Sequence, residues 1–249
     1  MTRIASHRGG TLEFGDSTPQ GFRATALMNV DEVEFDVHPT ADGSIVVHHD
    51  ATLDATTDTS GTIAQMTLAQ VRAAKIRDSA GGHPLTLEEL CTIYTDSRVD
   101  FRCEIKPGID GLPYESFVER VVSELEKSGM LARTTFSSFL IPSMDTLAKE
   151  TGRPSLWLVS PPVLKQLGAD AVIDLALAHG INEIGVHIET ADATLQRSVA
   201  AAGLHFGCWA THSASQIIKA LELGVKVFTT DRPTLAVKLR REFYAGGAA

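Results

Sequence analysis

Short runs of β-branched and aromatic residues alternate with longer amphipathic segments along most of the chain. The short runs predict strands, and the longer segments, in which apolar residues recur at helical spacing, predict helices. The predicted strands are Arg3–Ser6, Glu32–Val37, Ile45–His48, Val99–Ile105, Thr134–Ser138, Ser155–Val159, Glu183–His187, His205–Trp209 and Lys226–Thr229. The clearest predicted helices are Tyr114–Lys127, Pro161–Ala178, Ala191–Ala202 and Ala214–Leu223.

The repeated strand–helix unit predicts a parallel sheet. Several of these helices are followed by a glycine and then a strand, where a helix-ending glycine belongs; the glycines are Gly129, Gly180, Gly203 and Gly224. With roughly eight such units in one chain, the α/β pattern favours a closed TIM (β/α)8 barrel over an open sheet. The first strand is not followed by GxGxxG, which argues against a dinucleotide-binding fold.

One stretch, residues 51–84, lacks the regular pattern and is rich in Thr, Asp, Ser and Gly. We interpret it as a short insertion at the barrel mouth, after the second barrel strand and the extra strand Ile45–His48. It is predicted to contain at most one helix, near Thr67–Ala74. Because no linker interrupts the pattern, residues 1–249 are predicted to form a single TIM-barrel domain.

Composition and charge restrict the classes of partner. Apolar residues make up 43% of the chain and charged residues 21%, a balance typical of globular proteins. The net charge of -9 argues against a nucleic-acid partner, because binding a polyanion requires a basic surface. A small anionic substrate remains compatible, since a few local cations suffice to hold one phosphate. The oligomeric state stays open, because barrel helices look alike whether they are solvated or paired.

Cysteine usage and hydropathy indicate a cytoplasmic protein. Cys91, Cys103 and Cys208 lie far apart, form no CxxC pair, and are predicted to be small buried apolar side chains in a reducing compartment. The N-terminus shows no basic region followed by an apolar stretch, so no secretory signal is predicted. No apolar run is long enough to predict a membrane span.

Polar residues collect where several predicted strands end, and the active site of a TIM barrel forms at the carboxyl ends of its strands. Glu34 and Asp36 alternate on the second strand, so their side chains point to the same side. Glu104 ends a later barrel strand. Three converging carboxylates are typical ligands of one hard divalent cation, Mg²⁺ or Ca²⁺, whereas zinc would prefer His or Cys.

The same strand ends carry cations and histidines. Arg8 and Lys106, together with a bound cation, would neutralise the charge of a phosphodiester in its transition state. Histidine as a residue type can exchange a proton near neutral pH, so His7 and His49 suit the two proton transfers, one from the nucleophile and one to the leaving alkoxide. His48 alternates away from His49 and is predicted to face away from this site.

Taken in order, these residues resemble the glycerophosphodiester phosphodiesterase family, and the resemblance runs from His7 to Pro233. The matching motifs are His7-Arg8-Gly9, Glu34-Phe35-Asp36-Val37, Thr40-Ala41-Asp42-Gly43, Val46-Val47-His48-His49-Asp50, Pro84-Leu85-Thr86-Leu87-Glu88-Glu89, Glu104-Ile105-Lys106, Ser138-Phe139, Trp209 and Thr230-Asp231-Arg232-Pro233. The family fold is a TIM barrel with a small insertion after the histidine–aspartate motif, the place that residues 51–84 occupy here.

Several roles follow from the resemblance. It implies that Glu34, Asp36 and Glu104 are metal ligands and that His7 and His49 are the general acid and base. It also implies that Arg8 and Lys106 contact phosphate. Trp209 would line the site mouth, and Asp231 would orient a catalytic group. The implied substrate is a small-molecule phosphodiester, cleaved to an alcohol and a phosphomonoester such as glycerol 3-phosphate. The nucleophile is either water or a neighbouring substrate hydroxyl, which would first give a cyclic phosphate.

Two departures from the family pattern leave the head group open. Gly15-Asp16-Ser17-Thr18 stands where the family usually shows a proline-glutamate-asparagine-threonine run, and Ala210-Thr211-His212 replaces a run ending in asparagine. A sugar or opine-like phosphodiester is therefore an alternative substrate. His187 and His212 also fall near strand ends, and either could line the mouth.

Three other functions use a similar barrel site. A lyase of the sphingomyelinase D type is secreted, and the missing signal and unpaired cysteines argue against it. A non-catalytic phosphodiester-binding barrel would not need a matched acid and base. A Mg²⁺-dependent aldolase or enolising barrel would use the carboxylates, but it would not explain two histidines beside Arg8 and Lys106.

Overall fold

The parallel strands close into a barrel. The computed structural model describes residues 1–77, 82–153 and 155–246. Its strands are β1 (Arg3–His7), β2 (Glu32–Pro39), β3 (Ile45–Val47), β4 (Asp100–Ile105), β5 (Thr134–Ser138), β6 (Ser155–Val159), β7 (Glu183–His187), β8 (His205–Trp209) and β9 (Val227–Thr230). All except β3 are parallel and pair in chain order, and β9 pairs with β1 to close the ring. The predicted TIM barrel is therefore confirmed.

Helices follow the strands around the outside of this ring. Their bounds are α1 (Thr11–Phe14), α2 (Pro19–Ala26), α3 (Leu68–Ala73), α4 (Leu87–Tyr94), α5 (Phe117–Lys127), α6 (Ile141–Thr151), α7 (Pro161–Ala178), α8 (Ala193–Ala201), α9 (Ala214–Glu222) and α10 (Pro233–Gly246). In the part of the chain that the structure describes, no helix is both long and apolar enough to cross a membrane.

Local chemistry sets the ends of these helices. The side chain of Thr86 accepts a hydrogen bond from the Glu89 amide, and Glu89 reaches back to the Thr86 amide, so α4 begins with a capping box. The glycines predicted to end helices all have positive φ, as such positions require. Helix α5 begins at Phe117 and not at Tyr114, because Ser116 has a φ of 50° and cannot continue a helix.

Strand β3 lies outside the ring and pairs antiparallel with the end of β2. The insertion that follows it packs around a small core of its own, formed by Val46, Leu53, Ile63, Val71 and Ala74. Helix α3 lies in this insertion and its N-cap is Thr67, which agrees with the helix predicted near that residue. The segment 78–81 of the predicted insertion lies outside the described residues.

The barrel interior carries buried charges below the site. Arg102 on β4 is 1% exposed, and its Nε donates to Glu32 Oε2 at 2.6 Å, while Nη1 donates to Glu183 Oε1 at 3.4 Å. Lys226 forms a further ion pair with Glu183. The three cysteines are free and buried, as predicted. Glu32 and Glu183 are the first residues of β2 and β7, so this charged group lies toward the amino-terminal ends of the strands.

Candidate active site

The strand register brings the predicted acids together. His7 on β1 lies beside Glu34 on β2, and Asp36 lies beside Glu104 on β4. One carboxylate oxygen from each of the three acids lies within 4.8 Å of the others. The exposed fraction of these residues is 4% for Glu34, 1% for Asp36 and 6% for Glu104. Sequence alternation along two strands therefore produces one buried acidic cluster.

This cluster fits a hard divalent cation. The three carboxylates are buried, and the basic side chains within 4 Å of Asp36 and Glu104 are Arg8 and Lys106. Buried charge is costly unless it is compensated, and a divalent cation would compensate the acids together with these two side chains. Oxygen-only ligands at this spacing match the preference of Mg²⁺ and Ca²⁺ rather than that of zinc.

Two basic side chains border the cluster. Lys106 Nζ lies 2.9 Å from Glu104 Oε1 and 3.4 Å from Asp36 Oδ1. Arg8 Nε lies 3.2 Å from Asp36 Oδ2, and Arg8 Nη1 donates to Asp16 at 2.7 Å. The pKa values of Arg8 and Lys106 are both raised, because the neighbouring carboxylates outweigh the effect of burial. Both groups are therefore cations at neutral pH.

The turn after β1 places Arg8 over the cluster. Arg8 has a φ of 48° and Gly9 a φ of 77°, so the chain turns sharply in left-handed conformations. The Arg8 amide donates to the Glu34 carbonyl at 2.9 Å, which fixes the turn against β2. A Cβ at Gly9 would lie 3.0 Å from the Phe22 amide nitrogen, so a larger residue would push α2 away. The positive φ and the close approach of α2 therefore explain why a glycine follows Arg8.

The carboxylates of the cluster differ in pKa. Burial opposes ionisation of Asp36, but Lys106 and Arg8 outweigh it and hold the pKa of Asp36 well below its usual range. Burial together with Asp36 and Glu104 raises the pKa of Glu34. Burial raises the pKa of Glu104 to about 7, although Lys106 acts in the opposite direction. Without a cation, the cluster therefore carries fewer than three charges at neutral pH.

Each of the two predicted catalytic histidines is held by a carboxylate. His7 Nδ1 lies 2.5 Å from Asp231 Oδ1, and His49 Nδ1 lies 2.6 Å from Asp50 Oδ1. These contacts leave Nε2 of each ring for the site, and His7 Nε2 lies 3.8 Å from Glu34 Oε2. Burial lowers the pKa of His49, and Lys106 and Arg8 add to the effect. His49 is therefore neutral at pH 7 and able to accept a proton.

A cavity of about 240 Å³ connects these groups. Its lining includes His7, Arg8, Glu34, His49, Glu104 and Lys106, and it reaches down to Arg102. The opposite wall is mostly apolar and contains Phe139, Leu158 and Trp209. The Phe139 and Trp209 rings meet edge to face with centroids 5.7 Å apart. Trp209 and Phe139 therefore both line the cavity.

Sequence reasoning missed several polar partners. It did not assign Asp50 to His49 or Asp16 to Arg8, although Asp50 directly follows the histidine. His212 lies beside the site, since its Nδ1 accepts from the Asp231 amide at 3.0 Å. His187 contacts Trp209, with ring centroids 4.7 Å apart, and is not among the residues lining the cavity.

The raised pKa values predict how stability depends on pH. In the unfolded chain Glu34 and Glu104 ionise near pH 4.3, but folding raises the pKa of Glu34 and raises that of Glu104 to about 7. The stability that Glu104 contributes is complete below about pH 4.3 and is lost as the pH rises to about 7, and Glu34 acts in the same direction. His38, His49 and His212 act in the opposite direction, because folding lowers their pKa values. We therefore expect the two carboxyls to appear as a difference between variants: between pH 5 and pH 8 in EDTA, the Tm of the wild type should fall by several degrees relative to that of Glu104→Gln, since about 1 kcal/mol corresponds to roughly 2–4 °C.

Calorimetric scans in EDTA, Mg²⁺ and Ca²⁺ test this expectation. A cation should raise the Tm more at pH 8 than at pH 5, because protons compete with it for the carboxylates. Glu104→Gln should flatten the fall in Tm, whereas Glu119→Gln on the exposed surface of α5 should leave it unchanged. Equal slopes in wild type and Glu104→Gln would contradict the assignment of the effect to this cluster.

Comparisons with known proteins agree with the geometry. The chain matches the glycerophosphoryl diester phosphodiesterase family over residues 7–235. A glycerophosphodiester phosphodiesterase of Bacillus altitudinis is 28% identical over 97% of this chain and 99% of its own length. A crystal structure of a proposed glycerophosphoryl diester phosphodiesterase of Agrobacterium tumefaciens is 71% identical, with a TM-score of 0.98 over 98% of this chain and 99% of that chain.

A more distant structure shares the fold. It is a phosphodiesterase of Oleispira antarctica in complex with the product sn-glycerol 3-phosphate, 18% identical, with a TM-score of 0.81 over 97% of this chain and 97% of that chain. The family match extends over most of the sequence and includes the motifs on which the resemblance was based. The chain therefore belongs to the glycerophosphoryl diester phosphodiesterase family.

Proposed function

We propose that the protein is a divalent-cation-dependent phosphodiesterase. It cleaves glycerophosphodiesters, or a related small phosphodiester, to an alcohol and a phosphomonoester such as glycerol 3-phosphate. The observation that carries this proposal is the position of His7 and His49. Each is held by its own carboxylate, and both line the same cavity as Glu34 and Glu104 of the buried acidic cluster. A protein that only bound the diester would not need two histidines so arranged.

Charge complementarity supports an anionic substrate. Arg8 and Lys106 line the cavity and are cations at neutral pH. A divalent cation held by Glu34, Asp36 and Glu104 would supply further neutralisation of the phosphoryl oxygens. Arg8 can donate to two phosphoryl oxygens, whereas Lys106 provides a compact charge. These groups would bind the phosphate more tightly as its charge increases in the transition state.

The two histidines account for the proton transfers. One ring accepts the proton of the attacking hydroxyl as the new P–O bond forms, and the other donates a proton to the leaving alkoxide as the old P–O bond breaks. Asp231 and Asp50 hold the rings through Nδ1, so that Nε2 of each is presented to the substrate. The attacking hydroxyl belongs to water or to the substrate itself, which would give a cyclic phosphate first.

The glycerol-containing substrate class is supported by family membership and by the fold shared with the Oleispira antarctica phosphodiesterase, which binds sn-glycerol 3-phosphate. Two polar side chains near the proposed phosphate-binding groups bear on the head group. Asp16 pairs with Arg8, and His212 Nδ1 accepts a hydrogen bond from the Asp231 amide. These two positions are where the sequence departs from the family pattern, so a sugar or opine-like head group is the alternative.

A panel of diesters tests the proposal. It contains glycerophosphocholine, glycerophosphoethanolamine, a sugar 1-phosphate diester and a nitrophenyl diester, each with Mg²⁺, Ca²⁺ or EDTA. Release of an alcohol with Mg²⁺ or Ca²⁺ and not with EDTA is the expected result, and the preferred diester identifies the head group. Phosphorus NMR of the products distinguishes a cyclic phosphate from direct hydrolysis. Turnover that persists in EDTA would contradict cation dependence, and no turnover of any diester would leave only a binding role.

A further inference from the structure

Two consecutive backbone carbonyls in the His49-Asp50 segment are each held by a buried imidazole. His38 Nε2 lies 3.1 Å from the carbonyl oxygen of His49, and His48 Nδ1 lies 2.8 Å from that of Asp50. His38 is 1% exposed and His48 is 3% exposed. Neither ring is among the residues that line the cavity. We propose that His38 and His48 are positioning residues that fix the direction in which the His49 side chain enters the site.

The hydrogen-bond partners determine where each ring carries its proton. A carbonyl only accepts, so His38 must donate from Nε2, and its Nδ1 accepts from the Tyr114 hydroxyl at 3.0 Å. His48 has the opposite arrangement, because its Nδ1 donates to a carbonyl and its Nε2 accepts from Thr56 Oγ1 at 2.8 Å. The two rings are therefore opposite tautomers, and all four of their nitrogens have partners.

The segment that these rings hold is a bend between two backbone anchors: the His48 amide donates to the Asp36 carbonyl at 3.1 Å, and the Ala51 carbonyl accepts from the Ile63 amide at 2.9 Å. His49 and Asp50 follow β3 in a bend and belong to no strand. Their side chains are 34% and 42% exposed. A bend outside the sheet lacks the regular ladder that fixes strand residues, so its conformation depends on such side-chain anchors. His38 supplies one anchor from β2, and His48 supplies the other through Thr56 in the insertion.

The His38 contact also links two parts of the site. Tyr114 lies in the loop that follows Lys106, and its ring meets the His38 ring edge to face at 5.9 Å between centroids. His38 thus connects the Lys106 loop to the backbone of His49. If the hydrogen bonds from His38 and His48 were lost, the His49 side chain would shift relative to Arg8 and Lys106. A displacement of about 1 Å at a reacting group can cost about a hundredfold in rate.

Replacing each histidine by glutamine or by asparagine tests the proposal, which rests on the proposed role of His49. The side-chain amide nitrogen of glutamine can take the place of Nε2, the donor of His38, and that of asparagine can take the place of Nδ1, the donor of His48. We expect His38→Gln and His48→Asn to keep most of the wild-type kcat. The mismatched variants His38→Asn and His48→Gln should lose about 10- to 100-fold in kcat with little change in KM. His179→Ala, at a partly exposed position at the end of α7, is the control that should leave kcat unchanged.

A double-mutant cycle separates positioning from a general structural effect. In the His49→Ala background, the mismatched variants should cause no further loss of kcat, because they act through His49. The same loss in both backgrounds would overturn the proposal, as would equal kcat in matched and mismatched variants. An inactive wild type would instead refute the proposed function, and the role assigned to His38 and His48 with it.

The tautomers provide a readout that does not depend on activity. Nitrogen-15 NMR of the imidazoles should show a proton on Nε2 of His38 and on Nδ1 of His48. The reverse assignment for either ring would show that it does not donate to its carbonyl, and it would overturn the proposal even if the wild type hydrolyses diesters.

Discussion

Replacing His49 by alanine is expected to lower kcat by about a hundredfold or more, and His7→Ala is expected to do the same. Each substitution removes one of the two groups that can transfer a proton at the cavity, while Glu34, Asp36 and Glu104 are left in place. Steady-state hydrolysis of the preferred diester from the panel would measure the loss. Calorimetric titration with Mg²⁺ or Ca²⁺ should give a cation affinity close to that of the wild type.

A surface histidine provides the matched control for these variants. His179 pairs with Asp145 on the outer helices, so His179→Ala makes the same chemical change far from the cavity and should leave kcat near the wild-type value. If either His7→Ala or His49→Ala retained near-normal turnover, that residue would have to be removed from the mechanism. A parallel loss of cation affinity would indicate that the substitution disturbed the acidic cluster and not only a proton transfer.

Much of the fold could be predicted because a TIM barrel repeats one simple pattern. The strands Thr134–Ser138, Ser155–Val159, Glu183–His187 and His205–Trp209 have the predicted bounds, since each is a short buried run between helical segments. The predicted ends of helices were less accurate where the backbone conformation of a single residue determines where the helix begins. The start of α5 depends on the left-handed conformation of Ser116, for which the hydrophobic pattern carries no signal.

The sequence predicted which residues meet at the site better than it predicted their partners. Alternation along β2 and β4 is enough to place Glu34, Asp36 and Glu104 on one side of neighbouring strands. Hydrogen bonds such as His49 to Asp50, or His38 to the His49 carbonyl, depend on how a bend after β3 is folded. Strand and helix periodicity do not describe such a bend, so only the three-dimensional structure reveals these partners.

Glu34→Gln is expected to weaken the binding of Mg²⁺ or Ca²⁺ by about two orders of magnitude, since the charge of the ligands sets affinity over a wide range. Diester hydrolysis should fall with it. The metal-free variant should nevertheless be at least as stable as the wild type at pH 8. The reason is that the pKa of Glu34 is raised by burial and by Asp36 and Glu104, so its ionised form destabilises the folded, cation-free protein.

Glu32→Gln is the matched control for this prediction, because Glu32 lies two residues earlier on the same strand and is equally buried. Glu32 pairs with Arg102 and not with the acidic cluster, so Glu32→Gln should lower the Tm while leaving cation affinity almost unchanged. Calorimetric titration and thermal scans of both variants distinguish the two roles. An unchanged cation titration in Glu34→Gln would rule out Glu34 as a ligand. If the variant instead loses cation affinity while its metal-free form stays stable, Glu34 acts as a ligand and not as a structural residue.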